Sequence, residues 1–476
     1  MKGQFKIKFS ISDVLAAMKN CIFLVLAVLV AQPIIYMIIS QAFYGKIYYY
    51  FESEVFITDP HFGLWMAPVL KVISLILLIL LIIYVICYIK VKSTSFSQIE
   101  SFAKKSIKQY PELLFLGLTF LWITFAFFFS NDLMEAFWDL AWYKRGYVYF
   151  LGYAVIFISV LILDTKYKRL LLELFMFVAT IVALFAAFAD GFKWFKLACY
   201  RFEGAAMFFN RNYYGYYVAM STTLAAGLLY KEKNKYKAVY YGLSFVINEF
   251  GLLLSLTRGA LLGACAGIIV LLLFVSIQEK KFSRKALIVL GVAIATYALL
   301  ELTGLTEFTE RAIFMVNKAA DATDEMDTLG SGRIRIWKEV LENIKSSPIV
   351  GVGIGNTINP HNEFLQAAAW SGIPAALLYI SGLVAMVVKA FKYRAKMAKK
   401  QVAALSAVGA YVVSSFFGNS IIQTVPFYLI MVALCFDFET QEEAQDAVEK
   451  ECKDGIDLDE ETSMELQSEN SIQNQL

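Results

Sequence analysis

Residues 238–277 read AVYYGLSFVINEFGLLLSLTRGALLGACAGIIVLLLFVSI, and how this stretch is divided decides the fold. A helix that crosses a bilayer takes roughly 20 apolar residues, and this run is about twice that long. Thr257-Arg258-Gly259 interrupts it. The simplest reading is two spanning helices joined by a very tight turn, with Arg258 at its tip. An arginine at membrane depth is costly and points to function. The other reading of Arg258 is an arginine that snorkels to the interface.

The same ruler, carried outward along the chain, gives about twelve spans. They fall near 21–42, 66–89, 111–130, 146–163, 170–189, 212–230, 238–256, 259–277, 286–303, 364–388, 402–418 and 421–437. Composition agrees. Only 17% of the 476 residues are charged and mean hydropathy is +0.60, whereas soluble domains carry about 25% charged residues. The expected fold class is therefore an all-α polytopic membrane protein. The basic N-terminus leads into the first apolar run without a small-residue cleavage site, so an uncleaved first span is expected. The six cysteines show no CxxC spacing, which argues against a disulfide framework or a zinc site.

Lysine and arginine set the orientation. KVKSTSFSQIESFAKKSIK (90–108), DTKYKR (164–169), KEKNKYK (231–237), QEKKFSRK (278–285) and KAFKYRAKMAKK (389–400) are basic, and the alternate connections are poorer in lysine. With the basic N-terminus on the same side, the alternation holds over all the spans and puts both termini in the cytoplasm. The expected organisation is a cytoplasmic N-terminus (1–20), spans one to nine (21–303), an extracytoplasmic loop (304–363), spans ten to twelve (364–437) and an acidic cytoplasmic tail (438–476) expected to be disordered. A partner-binding role of the tail stays open. The first outer segment, around AFYGKIYYYF (42–51), reads as an interface belt of tyrosines.

The long loop changes character along its length. Its first part, including Asp321, Asp324, Glu325 and Asp327, reads as a solvated stretch rather than a cation site. From Gly332 the pattern is ordered: Ile334, Ile336, Trp337, Val340, Leu341 and Ile344 recur at helical spacing, with charged residues between them. That predicts an amphipathic helix on the bundle surface, stopped by Ser346-Ser347-Pro348. Arginine can clamp phosphate oxygens with two parallel hydrogen bonds, and a helix start offers unpaired N–H groups to anions. Gly332-Arg333 at such a start reads as a pyrophosphate clamp. The alternation in GRIRIW turns Arg335 another way. Arg211, in FNRNYY (209–214), reads equally as a ligand or as a helix-start residue among interface tyrosines, and Arg145 and Arg201 read as interface anchors.

The chain has two histidines. His361, in NPHNE (359–363), is chemically suited to accept a proton near neutral pH, although a lone histidine is more often structural. His61 stays structural. Gly351, Gly353 and Gly355 lack the spacing of a dinucleotide fingerprint and the lysine of a Walker loop, so they read as a turn that brings backbone close to a ligand or to the bundle. No cofactor, metal or nucleic acid is expected.

Three places together resemble the O-antigen ligase and polymerase superfamily of bacterial membrane glycan-assembly proteins. The first is Thr257-Arg258-Gly259 with Leu262 four positions beyond the arginine. The second is Gly332-Arg333, Trp337 and then Pro348-Ile349-Val350-Gly351-Val352-Gly353. The third is His361-Asn362, then nine residues, then Gly372, with Ala375 standing in place of a second glycine. The resemblance covers roughly 205–385.

It implies a glycosyltransferase of the lipid-linked, GT-C-like kind in the bacterial cytoplasmic membrane, working on its outer face without a metal. The donor would be a glycan on polyprenyl (undecaprenyl) pyrophosphate. The acceptor would be a sugar hydroxyl on a glycan or glycolipid, with membrane lipid and polysaccharide-assembly proteins as further partners. His361 would be the general base. Arg258, Arg333 and Arg211 would hold the pyrophosphate, and Asn362, Gly353 and Gly372 would support them. The Ala375 departure leaves ligase and polymerase both open. A flippase or secondary carrier shares the span count, but no internal repeat or paired broken helices support it. A structural partner of a polysaccharide-assembly complex would leave Arg258 and His361 dispensable.

Overall fold

A computed structural model of the protein describes residues 11–43, 62–92, 110–138, 146–191, 204–208, 210–230, 232–279, 284–304, 309–310, 313, 333–393 and 397–436. His61, Arg145, Arg201, Cys199, Cys452, Gly332, the Asp321–Asp327 stretch, the tyrosine belt at 44–51 and the acidic tail lie outside the described residues.

The described residues are helical, with no strand among them. The helices are α1 (Ile11–Phe43), α2 (Phe62–Lys92), α3 (Pro111–Phe127), α4 (Leu133–Trp138), α5 (Tyr147–Leu161), α6 (Thr165–Ala186), α7 (Arg211–Leu229), α8 (Lys235–Leu254), α9 (Arg258–Glu279), α10 (Arg284–Leu302), α11 (Arg333–Ser346), α12 (Glu363–Ser371), α13 (Ile373–Lys392), α14 (Lys399–Ser415) and α15 (Val425–Leu434). Among the described residues, five stretches are long and apolar enough to cross a membrane: Asp13–Ser40, Phe62–Lys90, Thr165–Ala189, Arg258–Ile277 and Ile373–Lys392. These are the helices of a multi-pass membrane protein.

Each expected span contains helix, but beyond those five the helices are shorter or less apolar than a lipid-facing span. α7 shows why. Its side chains from Tyr213 to Leu228 are all buried, so Ser221, Thr222, Thr223 and four tyrosines are tolerated in a helix that turns no face to lipid. α7 packs on α6, α8, α9 and α14 and is the axis of the bundle. Small residues bring these helices close: a Cβ at Gly227 would lie 2.6 Å from the Ala403 Cα, and one at Gly267 2.6 Å from the Ser406 carbonyl oxygen. A polar network closes the same axis. Ser221 Oγ donates to Asn248 Oδ1 at 2.6 Å, and Asn248 Nδ2 donates to Thr180 Oγ1 at 3.0 Å, which ties α7, α8 and α6 together.

Two boundaries differ from the sequence reading. The tenth span, expected as one helix over 364–388, is broken at Gly372 into α12 and α13, because Gly372 adopts φ +86° and ψ 163°, outside any helical region. The turn before α9 is made by Ser255–Thr257, with Leu256 at φ +52°, so Arg258 is the first helical residue rather than the tip of the turn.

At the far end of α13, Lys389 Nζ donates to Glu112 Oε1 at 2.6 Å and sits 3.6 Å from the Tyr110 ring centroid. Both charged side chains are buried, and the pair pins α3 to α13. Removing one partner of a buried pair strands the other charge. Lys389→Ala should therefore cost about 3–5 kcal/mol. The double change Glu112→Leu/Lys389→Met should recover most of that loss. Thermal unfolding of the detergent-solubilised protein reads both; equal losses for the single and double variants would contradict this account of the pair.

Candidate active site

The site is assembled where α7 and α9 begin and α8 ends. Asn210 caps α7, its side chain accepting from the Asn212 N–H at 2.8 Å, and this makes Arg211 the first helical residue. The tyrosines after it, Tyr213 and Tyr214, are buried in the bundle rather than set at an interface. Gly215, one turn on, faces the Ser255–Ala260 turn so closely that a Cβ would lie 2.9 Å from the Ala260 Cβ and 3.0 Å from the Thr257 Cβ. The start of α7 is thereby locked against the residues that present Arg258. Arg211 itself lies beside Gly204, where a Cβ would be 3.5 Å from its Nε.

Arg258 is exposed at the start of α9, and Arg333 is half-buried at the start of α11. The two meet around the segment after α14. The Arg333 guanidinium lies 5.9 Å from the centroid of the Phe417 ring. Phe417 is itself packed on Gly259, where a Cβ would come within 2.7 Å of the Phe417 Cβ. Tyr216 Oη, from α7, donates to the Phe417 carbonyl oxygen at 2.7 Å and holds this segment in place.

Burial lowers the Arg333 pKa; nearby Tyr216 acts against this, and Arg258 pushes the same way as burial. Among the described residues neither arginine forms an ion pair with a carboxylate. Two guanidinium groups near each other beside an aromatic wall concentrate positive charge, an arrangement chemically suited to an anion. Arg335 is exposed on another face of α11, as the alternation predicts.

α11 is amphipathic as expected, with Val340 and Ile344 buried and Ile336 packed against the same core, although Leu341 is 45% exposed. It also positions the histidine. Trp337 Nε1, one turn past Arg333, donates to the Pro360 carbonyl oxygen at 2.8 Å, and Asn343 Nδ2 donates to Thr357 Oγ1 at 2.9 Å. The segment leading to His361 is therefore laid along the helix that starts with Arg333. His361 is half-buried at φ +48°, its backbone N–H donating to Asn359 Oδ1 at 3.1 Å. Asn362 caps α12, its Oδ1 accepting from the Phe364 and Leu365 N–H groups, both at 3.0 Å.

The glycine motif and the Gly372 step prove to be one structure. Val352 N donates to the Ala369 carbonyl at 2.8 Å and Ile373 N to the Pro348 carbonyl at 2.8 Å. Trp122 Nε1 on α3 reaches the carbonyls of Ser371 at 3.0 Å and Ile349 at 3.3 Å. A Cβ at Gly372 would collide with the Ile349 carbonyl oxygen, and one at Gly351 with the Trp370 backbone. Gly353, at φ +96°, faces Ser130 past the end of α3. Ala375 is fully buried but helical, a place that asks for small volume and not for positive φ, which accounts for alanine there. Gly372→Ala combines a forbidden backbone region with a backbone clash. It should cost about 2–5 kcal/mol, read as a fall in the unfolding midpoint; an unchanged midpoint would contradict the close approach of Ile349.

The structure thus brings Arg258 and Arg333 together and ties Arg333's helix to the His361 segment, with Arg211 at the start of the neighbouring α7. Sequence reading missed Tyr216 and Phe417. They lie 201 positions apart, and only Gly418, where a Cβ would strike the Tyr216 ring, leaves a trace of their contact.

A comparison with curated proteins finds no match to the chain. Residues 243–380, which carry Arg258, Arg333 and His361, match the family model of O-antigen ligase, and this match supports the O-antigen ligase and polymerase superfamily for the chain.

Proposed function

We propose that the protein is a membrane glycosyltransferase that moves a glycan from a polyprenyl pyrophosphate, of the undecaprenyl kind, to a sugar hydroxyl on a glycan or glycolipid acceptor. The reaction takes place on the outer face of the bacterial cytoplasmic membrane, with both termini inside, in the assembly of a surface polysaccharide. The observation that carries this reading is the arginine pair around Phe417, joined through Trp337 to the segment that bears His361.

The chemistry follows from those residues. The bond between the anomeric carbon and the pyrophosphate oxygen breaks, and its electron pair leaves with the pyrophosphate. Fixed positive charge is most effective where that charge develops, which is the role of Arg258 and Arg333, with Arg211 contributing from the start of α7. The N–H groups at the start of α11 add to the same field. The acceptor oxygen attacks the anomeric carbon as its proton passes to the His361 imidazole. A single displacement of this kind inverts the anomeric configuration. Asn362, Gly353 and Gly372 support the site by fixing the backbone on both sides of His361.

A polymerase would use the same donor and leaving group and differ only in its acceptor. Cells lacking the protein separate the two: full-length chains left unattached indicate a ligase, and chains stopped at one repeat unit a polymerase. Purified protein with a lipid-pyrophosphate glycan and a candidate acceptor tests the shared claim. A covalent product is the expected result. Movement of the lipid-linked glycan across the bilayer without such a product would instead favour a transporter.

A further inference from the structure

The connection between α14 and α15, residues 416–424, is a loop set inside the bundle: Asn419, Ile421, Ile422, Gln423 and Thr424 are all buried. Loops usually run over the surface, because their backbone polar groups need water or a partner. Here the Phe417 and Gly418 N–H groups donate back to the Ser414 and Ser415 carbonyls at the end of α14, and the Thr424 N–H donates to the Ile421 carbonyl. Three other segments bond into the connection. Tyr216 of α7 holds the Phe417 carbonyl. Gln423 Nε2 donates to the Phe208 carbonyl at 3.4 Å, just ahead of the Asn210 cap and Arg211. The third bond comes from α12, where Gln366 Oε1 accepts from the Ser420 N–H at 3.1 Å, 54 positions away.

Gln366 is 1% exposed and lies five residues after His361, in the helix that Asn362 caps. Phe364 of the same helix packs against Phe416, with 4.5 Å between ring centroids. α12 thus grips the connection on both sides of Phe417, through a ring contact at Phe416 and a hydrogen bond at Ser420. Phe417 is the wall on which the Arg333 guanidinium lies. A ring contact tolerates sliding, whereas an N–H···O bond holds its two ends to a narrow range of distance and angle. The amide also suits the place. It presents an acceptor without bringing a charge into a buried site, and an aliphatic side chain there would strand the Ser420 N–H.

We propose that Gln366 is a positioning residue for glycan transfer: by holding Ser420 it sets the place of Phe417, and with it Arg333, relative to His361. The inference rests on the transfer reading given above. Gln366 touches neither donor nor acceptor, so it acts through the arginine. A misplacement of about 1 Å remote from the reacting atoms can cost about a hundredfold in rate.

Hydrogen–deuterium exchange of the full-length protein in detergent reads the brace without turnover. Gln366→Met keeps the reach of the side chain and removes the acceptor. Exchange across residues 416–424 should rise about tenfold, while Thr165–Ala186 keeps its protection. In steady-state transfer, kcat of Gln366→Met should fall about tenfold to a hundredfold. Its KM for the acceptor should stay within about twofold, and Gln366→Glu, which returns an oxygen at the same reach, should recover most of the rate. In an Arg333→Ala background, Gln366→Met should lower the rate by less than about twofold further, because its effect passes through Arg333. A residue that serves stability alone would lower both backgrounds alike. Unchanged exchange at 416–424, wild-type kcat in Gln366→Met, no recovery in Gln366→Glu, or equal losses in the two backgrounds would each overturn the proposal. No transfer by the wild-type protein, with exchange still raised in Gln366→Met, would strike the transfer reading and leave the brace standing.

Discussion

Replacing His361 should lower glycan transfer by about 10²- to 10⁴-fold, the range expected when a general base is removed. The backbone at this position decides how the experiment is built. His361 sits at φ +48°, where alanine pays a left-handed penalty that asparagine largely escapes. His361→Ala therefore removes the imidazole and strains the turn together, whereas His361→Asn removes the imidazole and keeps the turn. Both variants should lose transfer to the same extent while inserting and accumulating normally. If His361→Asn kept wild-type turnover and only His361→Ala lost it, the histidine would be a conformational residue and the base would lie elsewhere. The cap made by Asn362 and the Trp337 bond to the Pro360 carbonyl are left intact in both, so α12 should stay folded.

Arg258→Ala and Arg333→Ala should each reduce transfer by about 10²- to 10³-fold, the cost of removing one preorganised group from a developing negative charge. The double variant should lose less than the product of the two, because both guanidiniums act on one leaving group. Lysine should not restore Arg333. Its ammonium lacks the planar fork that lies over the Phe417 ring and can grip two phosphate oxygens at once. Arg335→Ala serves as the control: it is exposed on another face of α11 and should change turnover by no more than about twofold, since a surface charge of this kind contributes little. A loss at Arg335 equal to that at Arg333 would mean that general positive charge, and not the placed guanidinium, is what matters. Steady-state transfer at saturating donor reads all five variants.

The helices themselves were legible in the sequence because lipid and hydrogen-bonding constraints leave a spanning chain few options. The tight turn at Thr257-Arg258 and the amphipathic α11 follow from apolar length and period alone. What could not be read has one physical cause: contacts between residues far apart in sequence. The 364–388 stretch reads as one span, yet it breaks at Gly372, whose positive φ lets the backbone turn where the Ile349 carbonyl of the preceding loop packs against it. The glycines of 351–353 and Gly372 read as separate features, although they are the two sides of a single backbone junction clamped by Trp122. Tyr216 reads as one tyrosine among several in α7, and only its bond to Phe417 gives it a part in placing Arg333. Glu363 reads as a loop residue beside the histidine, and only its burial at the start of α12 marks it out.

The central claim is covalent transfer with pyrophosphate as the leaving group at the Arg258–Arg333–His361 end of the bundle. Its most direct test is to reconstitute the protein in vesicles with a polyprenyl-pyrophosphate glycan and an acceptor, in the presence of EDTA, and to count freed polyprenyl pyrophosphate against glycan joined to acceptor. The account predicts one lipid pyrophosphate released for each glycan transferred, and near-complete loss of both in His361→Asn and Arg333→Ala. Glycan lipid that crosses the bilayer intact with no pyrophosphate freed, or equal release from those two variants, would contradict it.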